Sequence, residues 1–272
     1  MMDIENNNSI AISTINNLIS LVIETIHYSS RKEAQTKQTN GSIQYFTGSD
    51  YPLLNGVFAD KNIGEDYQHH FTKMTEYFSS KKVPYIWWWA HQSNIPETVK
   101  QELDSQGFQF IGNYYGISID LNDMQPVVHS DKITVKKVST EEEYKTYLNV
   151  LSEVMQLSDS VTQDFAELFS SYGANGKFQH YLGYYDGTPA STLTTFTVDT
   201  TVGCYCGTTL SAFQKQGLCT AVATYALMEA KQQGCEYAVA QLMADAMAKG
   251  LTEKIGFKEC CQMLPFLKMP SV

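Results

Sequence analysis

Positive charge is scarce in this sequence of 272 residues. It contains 19 lysine and arginine residues against 29 aspartate and glutamate residues, which gives a formal net charge of −10, and Arg31 is its single arginine. Nucleic-acid binding depends on basic side chains that neutralise backbone phosphates. We therefore expect no nucleic-acid partner.

The sequence also has no uninterrupted apolar run of the roughly 18 residues that a membrane-spanning helix needs. The nearest candidate, residues 10–26, is interrupted by polar residues such as Ser13 and Glu24. Its apolar residues recur at spacings of three and four, as in an amphipathic core helix. Asp3 and Glu5 precede it, where a secretion signal carries positive charge. These features predict a cytoplasmic protein without a membrane anchor.

Cysteine is confined to the last third of the chain, and its spacing argues against both disulfide bonds and zinc ligation. Two of the spacings, i,i+2 on a predicted strand and i,i+1, suit neither a disulfide framework nor a zinc site. We therefore expect structural thiols and no metal ion. The six cysteines are Cys204, Cys206, Cys219, Cys235, Cys260 and Cys261.

What the sequence does contain is ample material for packed domains, since 43% of its residues are hydrophobic and only 18% are charged. Residues 122–132 are polar and include Pro126, so they predict a linker between domains at 1–125 and 131–272. Three predicted strands joined by tight turns, within residues 178–210, favour an antiparallel meander. Predicted helices alternate with strands elsewhere, which indicates an α/β (α+β) fold.

The most informative segment is the loop at residues 210–221, between a predicted strand and a predicted helix. Helix N-termini expose backbone N–H groups without intrahelical partners and carry the positive end of the dipole, so they suit a pyrophosphate. Gly217 allows the backbone to approach such a ligand closely. A structural loop without a ligand is the alternative interpretation.

The order of elements around this loop closely resembles the GNAT superfamily of N-acetyltransferases, over about residues 133–267. Gln214 and Gly217 match the Q/R-x-x-G-x-G/A loop of the family. The pair Gly256 and Phe257 matches the Gly-Phe hallmark that precedes the last strand. The resemblance implies direct transfer of an acetyl group from acetyl-CoA to an amine.

The first half is similar to the degenerate N-terminal domain of bacterial two-domain GNAT proteins. The matching segments are residues 45–58 and 83–108. Nothing in residues 1–122 resembles the pyrophosphate loop. The resemblance therefore implies two GNAT folds in tandem, each a mixed, mostly antiparallel twisted sheet flanked by helices, with acetyl-CoA bound by the second fold only.

The resemblance also implies which residues hold acetyl-CoA. The strand before the loop presents backbone groups to the pantetheine arm, and the loop amides cradle the pyrophosphate. Lys215 adds a positive charge there, or is an ordinary exposed lysine. The implied cofactor-binding residues are Thr208, Thr209, Leu210, Gln214, Lys215, Gln216, Gly217, Leu218, Cys219, Thr220 and Asp245.

Three positions depart from the family pattern. Cys219 replaces the second Gly/Ala of the loop, where its side chain either crowds the diphosphate or points into the core. Asp245 replaces a common Asn, and Thr252 stands where a tyrosine commonly protonates the departing thiolate. An aliphatic hydroxyl is a far weaker acid than a phenol.

The catalytic candidates are consequently spread over several elements. Thr252 and Tyr205 are candidates for the general acid, and Glu153 for the general base. The open alternatives are Tyr184 and Tyr185 for the acid, Asp159, Asp164 and His180 for the base, and a water chain in place of any base.

The leading interpretation is an N-acetyltransferase acting on a primary amine of a small molecule or amino-acid-like acceptor. The acidity of the chain favours a cationic acceptor. A catalytically weak or inactive acyl-CoA-binding module is the alternative, motivated by the three departures, and a scaffold that does not bind CoA is a third hypothesis. A monomer and a homodimer are both compatible with the sequence.

Overall fold

The computed structural model describes residues 4–27, 29, 31–39, 41–59, 67–90, 94–125, 127–170, 178–243 and 254–270. These residues form six α-helices. They are α1 (Ile4–His27), α2 (Tyr67–Lys81), α3 (Glu97–Ser105), α4 (Glu141–Met155), α5 (Asp159–Ser170) and α6 (Leu218–Gln232).

The same residues form twelve strands. The first six are β1 (Gln35–Thr39), β2 (Ser42–Phe46), β3 (Gly56–Ala59), β4 (Tyr85–Trp89), β5 (Gln109–Phe110) and β6 (Tyr114–Asp120). The others are β7 (Ile133–Lys137), β8 (Phe178–Tyr185), β9 (Thr188–Val198), β10 (Thr201–Thr209), β11 (Tyr237–Met243) and β12 (Lys258–Lys268).

The chain divides into two compact units. The larger unit consists of Met1–Leu18 and Gly116–Cys260, and the smaller unit of Ile19–Tyr115 and Cys261–Val272. Helix α1 and strand β12 thus contribute residues to both. The linear division predicted from the sequence, into 1–125 and 131–272, stays a prediction.

The sheet of the larger unit has the strand order β6-β11-β10-β9-β8-β7. Strands β7 to β10 pair antiparallel, which confirms the predicted meander, and β10 pairs parallel with β11. Helix α6 contributes the buried residues Val222, Ala226 and Leu227 to the main core of this unit. Gly183 of β8 permits the close approach of α6, because a Cβ there would lie 2.5 Å from Val222 Cγ2.

The smaller unit has the strand order β1-β2-β3-β4-β12, and β5 also pairs with β12. Only β3 and β4 are parallel among the pairs described for this sheet. Trp87 and Trp89 stack on each other in its core, whereas Trp88 donates a hydrogen bond from Nε1 to the hydroxyl of Tyr45. The three side chains thus alternate between the two faces of the sheet, as the period of a strand requires.

Helix α1 has, over Ser9–His27, the length and composition of a membrane-spanning helix. Buried core helices of soluble proteins and signal sequences pass the same test. Within α1, Ala11, Thr14, Ile15 and Asn17 are buried in the structure. This part of the helix therefore carries the buried face that its periodicity predicted.

Each unit is a mixed, mostly antiparallel sheet with helices, as predicted. The expected single strand from Phe108 to Leu121 is instead divided into β5 and β6, and Gly112, with φ of 108°, lies at the interruption. The polar strand β1 was not predicted, because all of its residues are exposed and show no alternation. The helix predicted over 247–254 falls almost wholly outside the described residues.

Candidate functional site

The central feature of the larger unit is a gap between the neighbouring parallel strands β10 and β11. Their pairing ends with Cys204 opposite Ala240. Strand β10 then continues to Thr209 and β11 to Met243, with no further pair between the described residues of the two strands. The backbone groups along this gap are open to a ligand that binds as an added strand does.

Strand β10 bulges at the start of the gap. Tyr205 lies opposite Thr194, and the next pair is Thr208 opposite Thr192, so two residues of β10 face one residue of β9. Cys206, inside the bulge, has φ of 51°. This left-handed conformation is uncommon for a residue other than glycine, so the surrounding contacts must maintain it.

Two hydroxyl groups of β9 turn the bulge toward that strand. Thr192 Oγ1 donates to the carbonyl oxygen of Cys206 at 2.9 Å, and Ser191 Oγ donates to that of Thr208 at 2.6 Å. The peptide bonds are trans, so the N–H that follows each carbonyl points the opposite way, toward the gap. These two N–H groups belong to Gly207 and Thr209.

The loop after β10 ends at the N-terminus of α6. Gly217 is the N-cap residue with φ of 90°, and no side chain caps this helix end in the described structure. The first N–H groups of the helix are thus left for another acceptor, and the helix dipole favours a negative one. They belong to Leu218, Cys219 and Thr220.

The side chains of the loop lie on its exposed surface. Gln214 Nε2 donates to the carbonyl oxygen of Thr209 at 3.2 Å and Gln216 Nε2 donates to that of Ala212 at 3.3 Å. These bonds fasten the loop to the end of β10 and to itself. Lys215 is exposed with φ of 63°, which places a positive charge just before α6.

A family comparison covers this same region. Residues 144–257 match the family model described as the Acetyltransferase (GNAT) family. This part of the chain is a GNAT domain. It contains the gap, the bulge and the loop before α6. No curated protein matches the sequence.

Solved structures of other proteins share the fold over most or all of the chain. A GCN5-related N-acetyltransferase from Kribbella flavida has a TM-score of 0.70 at 14% identity. The alignment covers 100% of this chain and 98% of that protein's chain. A conserved protein from Staphylococcus epidermidis has a TM-score of 0.71 at 14% identity, over 88% and 95% of the two chains.

A tandem GNAT protein from the clavulanic acid biosynthesis pathway has a TM-score of 0.58 at 11% identity, over 96% of each chain. The predicted fold class, GNAT folds in tandem, is thereby confirmed. These identities show the fold alone, so the activity of this chain is argued from its own residues.

The predicted cofactor-binding residues of the loop differ in the burial of their side chains. Leu218 and Thr220 have buried side chains, so only their backbone groups face a ligand. Cys219 is exposed as a residue, yet burial raises the pKa of its thiol. Both predicted orientations of its side chain, against the diphosphate and into the core, stay predictions. Asp245 and Thr252 lie outside the described residues, and their predicted roles stay predictions.

The remaining catalytic candidates lie on different elements of the GNAT domain. Glu153 is exposed on α4. Tyr205 stands at the start of the bulge, and its hydroxyl donates to Asn17 Oδ1 of α1 at 2.6 Å. Burial raises the pKa of Tyr205 well above its ordinary value, which makes it a weaker acid. The structure does not bring Glu153 and Tyr205 into contact in the described part of the chain.

A buried polar cluster lies next to the bulge. His180 Nδ1 is 2.9 Å from Thr194 Oγ1, which in turn is 2.5 Å from the hydroxyl of Tyr147. Burial lowers the pKa of His180 to about 4, against the opposing effect of the Phe169 carbonyl. His180 is therefore neutral near pH 7, which makes it a weak base.

Sequence reasoning missed the hydroxyl groups that shape the site, Ser191 and Thr192, as well as Asn17. A signal was present in the run of serine and threonine over residues 191–197, but the position of a bulge cannot be read from it. Among the described residues, no group of three or more His, Cys, Asp or Glu side chains is arranged to hold a metal ion.

Proposed function

We propose that this protein transfers an acetyl group from acetyl-CoA to a primary amine of a small molecule. The observation that carries the proposal is the combination, within one GNAT domain, of an open gap between β10 and β11 with an uncapped helix N-terminus. The gap suits the extended pantetheine arm, and the N-terminus of α6 suits the diphosphate. Gly217 sets the backbone conformation at that end of the site, and Lys215 adds a positive charge there.

Acetyl-CoA supplies an activated acetyl group as a thioester. The N–H groups of Gly207 and Thr209 point into the gap, where they donate to carbonyl oxygens. A donor fixed in this position stabilises the negative charge that develops on the acetyl oxygen when the amine attacks. The C–N bond then forms, the C–S bond breaks, the amine loses a proton and the thiolate gains one.

The residues that transfer protons are less well defined than those that bind acetyl-CoA. The thiolate is already a stable leaving group near neutral pH, so an acid improves the rate by about 10²–10⁴-fold without being indispensable. Thr252 and Tyr205 are the proposed acids and Glu153 the proposed base. The exposed position of Glu153 suits a base that reaches the amine through water.

The acceptor is proposed to be a cationic small molecule or amino-acid-like amine. The net charge of −10 favours the approach of cations over anions. We further propose that the enzyme works in the cytoplasm, as a monomer or homodimer, without nucleic acid, membrane or metal ion as a partner.

The decisive experiment compares Gly217→Asp with Gly217→Asn in thermal unfolding with and without acetyl-CoA. Both side chains tolerate the left-handed conformation that Gly217 adopts, so the pair differs essentially in one negative charge. At about 100 times the Kd, acetyl-CoA stabilises the wild type by about 2.7 kcal/mol, a rise of about 5–10 °C in Tm. Gly217→Asn should keep most of this rise and Gly217→Asp should lose it.

Thiol release in the presence of amines then separates the enzyme from a binding module. Release of free CoA that depends on an added polyamine or aminoglycoside establishes the transfer. Stabilisation by acetyl-CoA without acceptor-dependent thiol release across such a panel indicates the binding module instead. The absence of any rise in Tm at saturating acetyl-CoA would refute both.

A further inference from the structure

The bulge of β10 needs a specific support, because its geometry is unfavourable by itself. Cys206 adopts φ of 51°, a region where its Cβ is crowded. The bulge also interrupts the ladder with β9 between the pairs at Tyr205 and Thr208. Backbone groups that lose their ladder partners must find others. The structure supplies these others from side chains of β9.

Thr192 has a hydroxyl group that reaches both sides of the bulge. Its side chain is 2% exposed, and Oγ1 donates to the Cys206 carbonyl and lies 2.6 Å from Thr208 Oγ1. Because the single hydroxyl proton is used toward Cys206, the Thr208 hydroxyl is the donor in the second bond. The hydroxyl of Thr192 is thus fully engaged within the bulge.

Ser191 fastens the same stretch from the other face of the sheet, since neighbouring residues of a strand point to opposite faces. Its Oγ donates to the Thr208 carbonyl and lies 3.0 Å from Thr209 Oγ1. Of the two hydroxyls, that of Thr192 acts on the strained residue. Its bond holds the Cys206 carbonyl toward β9 and turns the N–H of Gly207 into the gap.

We propose that Thr192 is a positioning residue that sets the recognition of the acetyl carbonyl by aiming the Gly207 N–H. The inference rests on the proposed function. Without the Thr192 hydroxyl, the Cys206 carbonyl loses its partner and the peptide group between Cys206 and Gly207 is free to rotate. The N–H then no longer points steadily at the carbonyl oxygen of the acetyl group.

The test compares Thr192→Val, which keeps the shape and removes the hydroxyl, with Thr192→Ser, which keeps the hydroxyl. Thr224→Val is the matched control, because Thr224 is buried in the same unit and its Oγ1 has no hydrogen-bond partner among the described residues. The readout is the ratio of the Kd for CoA to the Kd for acetyl-CoA. Loss of general stability does not change this ratio, since both ligands share every group except the acetyl.

We expect the wild type, Thr192→Ser and Thr224→Val to bind acetyl-CoA about three- to ten-fold more tightly than CoA, the range of one hydrogen bond. Thr192→Val should bind the two ligands equally. An unchanged ratio in Thr192→Val overturns the proposal. If Thr192→Val does not fold, Thr192→Ala is the substitute, and it should also bind the two ligands equally, because it too removes the hydroxyl that holds the Cys206 carbonyl.

A second readout separates this inference from the proposed function. The amide resonances of Cys206 and Gly207, measured without ligand, should shift and broaden in Thr192→Val and stay near the wild-type positions in Thr192→Ser. If the wild type binds neither CoA nor acetyl-CoA, the proposed function fails, and these resonances alone decide the support of the bulge. Unchanged resonances in Thr192→Val would then refute it.

Discussion

At the scale of single residues, His180 is a buried group whose charge state the fold controls. Its ring lies against the rings of Tyr144 and Tyr147 at centroid distances of 5.1 and 4.8 Å. Thr194 lies on the side of the bulge, next to Cys206, whose thiol has its pKa raised by burial to about 11. These rings, the hydroxyl and the thiol are neutral near pH 7, and the Phe169 carbonyl, which favours the charged imidazole, offsets the effect of burial only in part.

This burial predicts a loss of stability in mild acid. The pKa of His180 falls from 6.5 to about 4 in the folded state, so the unfolded state binds a proton first as the pH decreases. The stability contributed by neutral His180 is complete above about pH 6.5 and is lost as the pH falls toward 4. Between pH 7.5 and 4.5 the loss is about 2–3 kcal/mol.

The measurement is urea unfolding at these two pH values for the wild type and for His180→Asn. Asparagine retains an acceptor for the Thr194 hydroxyl but does not titrate. The wild type should lose about 2–3 kcal/mol more than the variant over this interval. Equal losses would show that His180 does not control the acid sensitivity, which then belongs to the carboxylates.

The residue scale also shows what the sequence could and could not predict about the site. Gly217 and Gln214 were identifiable because they match the loop pattern of the GNAT family, and a glycine there also lets the backbone approach a ligand closely. Thr192 was not, because its role depends on the register of β9 against a bulge that no local pattern reveals. The same limit applies to Asn17, whose partner Tyr205 lies 188 residues away in the chain.

At the scale of elements, α4 has an N-terminus defined by a reciprocal pair of hydrogen bonds. Thr140 Oγ1 accepts from the N–H of Glu143, and Glu143 Oε2 accepts from the N–H of Thr140, both at 3.2 Å. The N–H of Ser139 also donates to Glu143 and lowers the pKa of that carboxyl. This is the capping box that a threonine followed by glutamates predicts.

Removal of this cap should destabilise the GNAT domain without affecting its ligand. We expect Thr140→Ala to reduce the free energy of unfolding by about 1 kcal/mol. Thr146→Ala, in the interior of the same helix, is the matched control and should be neutral or slightly stabilising, because alanine has the higher helix propensity. Urea unfolding gives both values, and the Kd for acetyl-CoA should be unchanged in each variant. Equal effects of the two substitutions would argue against the cap.

Helices and strands were predictable where their apolar periodicity is strong or where glycine residues mark their ends. Helix α6 was expected over 219–233 and is found at Leu218–Gln232, since Gly217 and Gly234 bracket it. The polar edge strand β1 was missed, because an exposed strand shows no apolar alternation and forms by pairing with β2. The pairing joins two consecutive strands, with Thr39 opposite Ser42, but the polar composition of β1 itself gives no indication of a strand.

At the scale of the whole molecule, the first turns of α1 complete the larger unit. Asn17 is 2% exposed, and it accepts from the Tyr205 hydroxyl and donates from Nδ2 to the Thr201 carbonyl at 3.2 Å. Gln241 Nε2 donates to the Thr14 carbonyl at 3.1 Å. These contacts reach β10 and β11 where the two strands begin to separate, so the N-terminal segment supports the gap.

This arrangement predicts that Asn17→Leu weakens the larger unit although it lies at the opposite end of the chain from the loop. Leucine has a similar size but leaves the Tyr205 hydroxyl and the Thr201 carbonyl without partners, at a cost of about 1–3 kcal/mol. Ile12→Ala on the same helix is the control, because Ile12 is 53% exposed and its truncation should be nearly neutral. Urea unfolding followed by far-UV circular dichroism measures both variants.

Deletion of residues 1–18 should destabilise the larger unit more than the loss of the Asn17 contacts alone. The deletion exposes the apolar surface that Ala11 and Ile15 cover and removes the bonds to β10 and β11 together. We expect a larger fall in Tm than Asn17→Leu causes, and a weaker rise in Tm with acetyl-CoA, because Tyr205 at the edge of the gap loses its support. If the protein without residues 1–18 keeps the wild-type Tm and the wild-type response to acetyl-CoA, the segment does not contribute to the larger unit. The gap between β10 and β11 would then depend only on the bulge and on the β9 hydroxyl groups that support it.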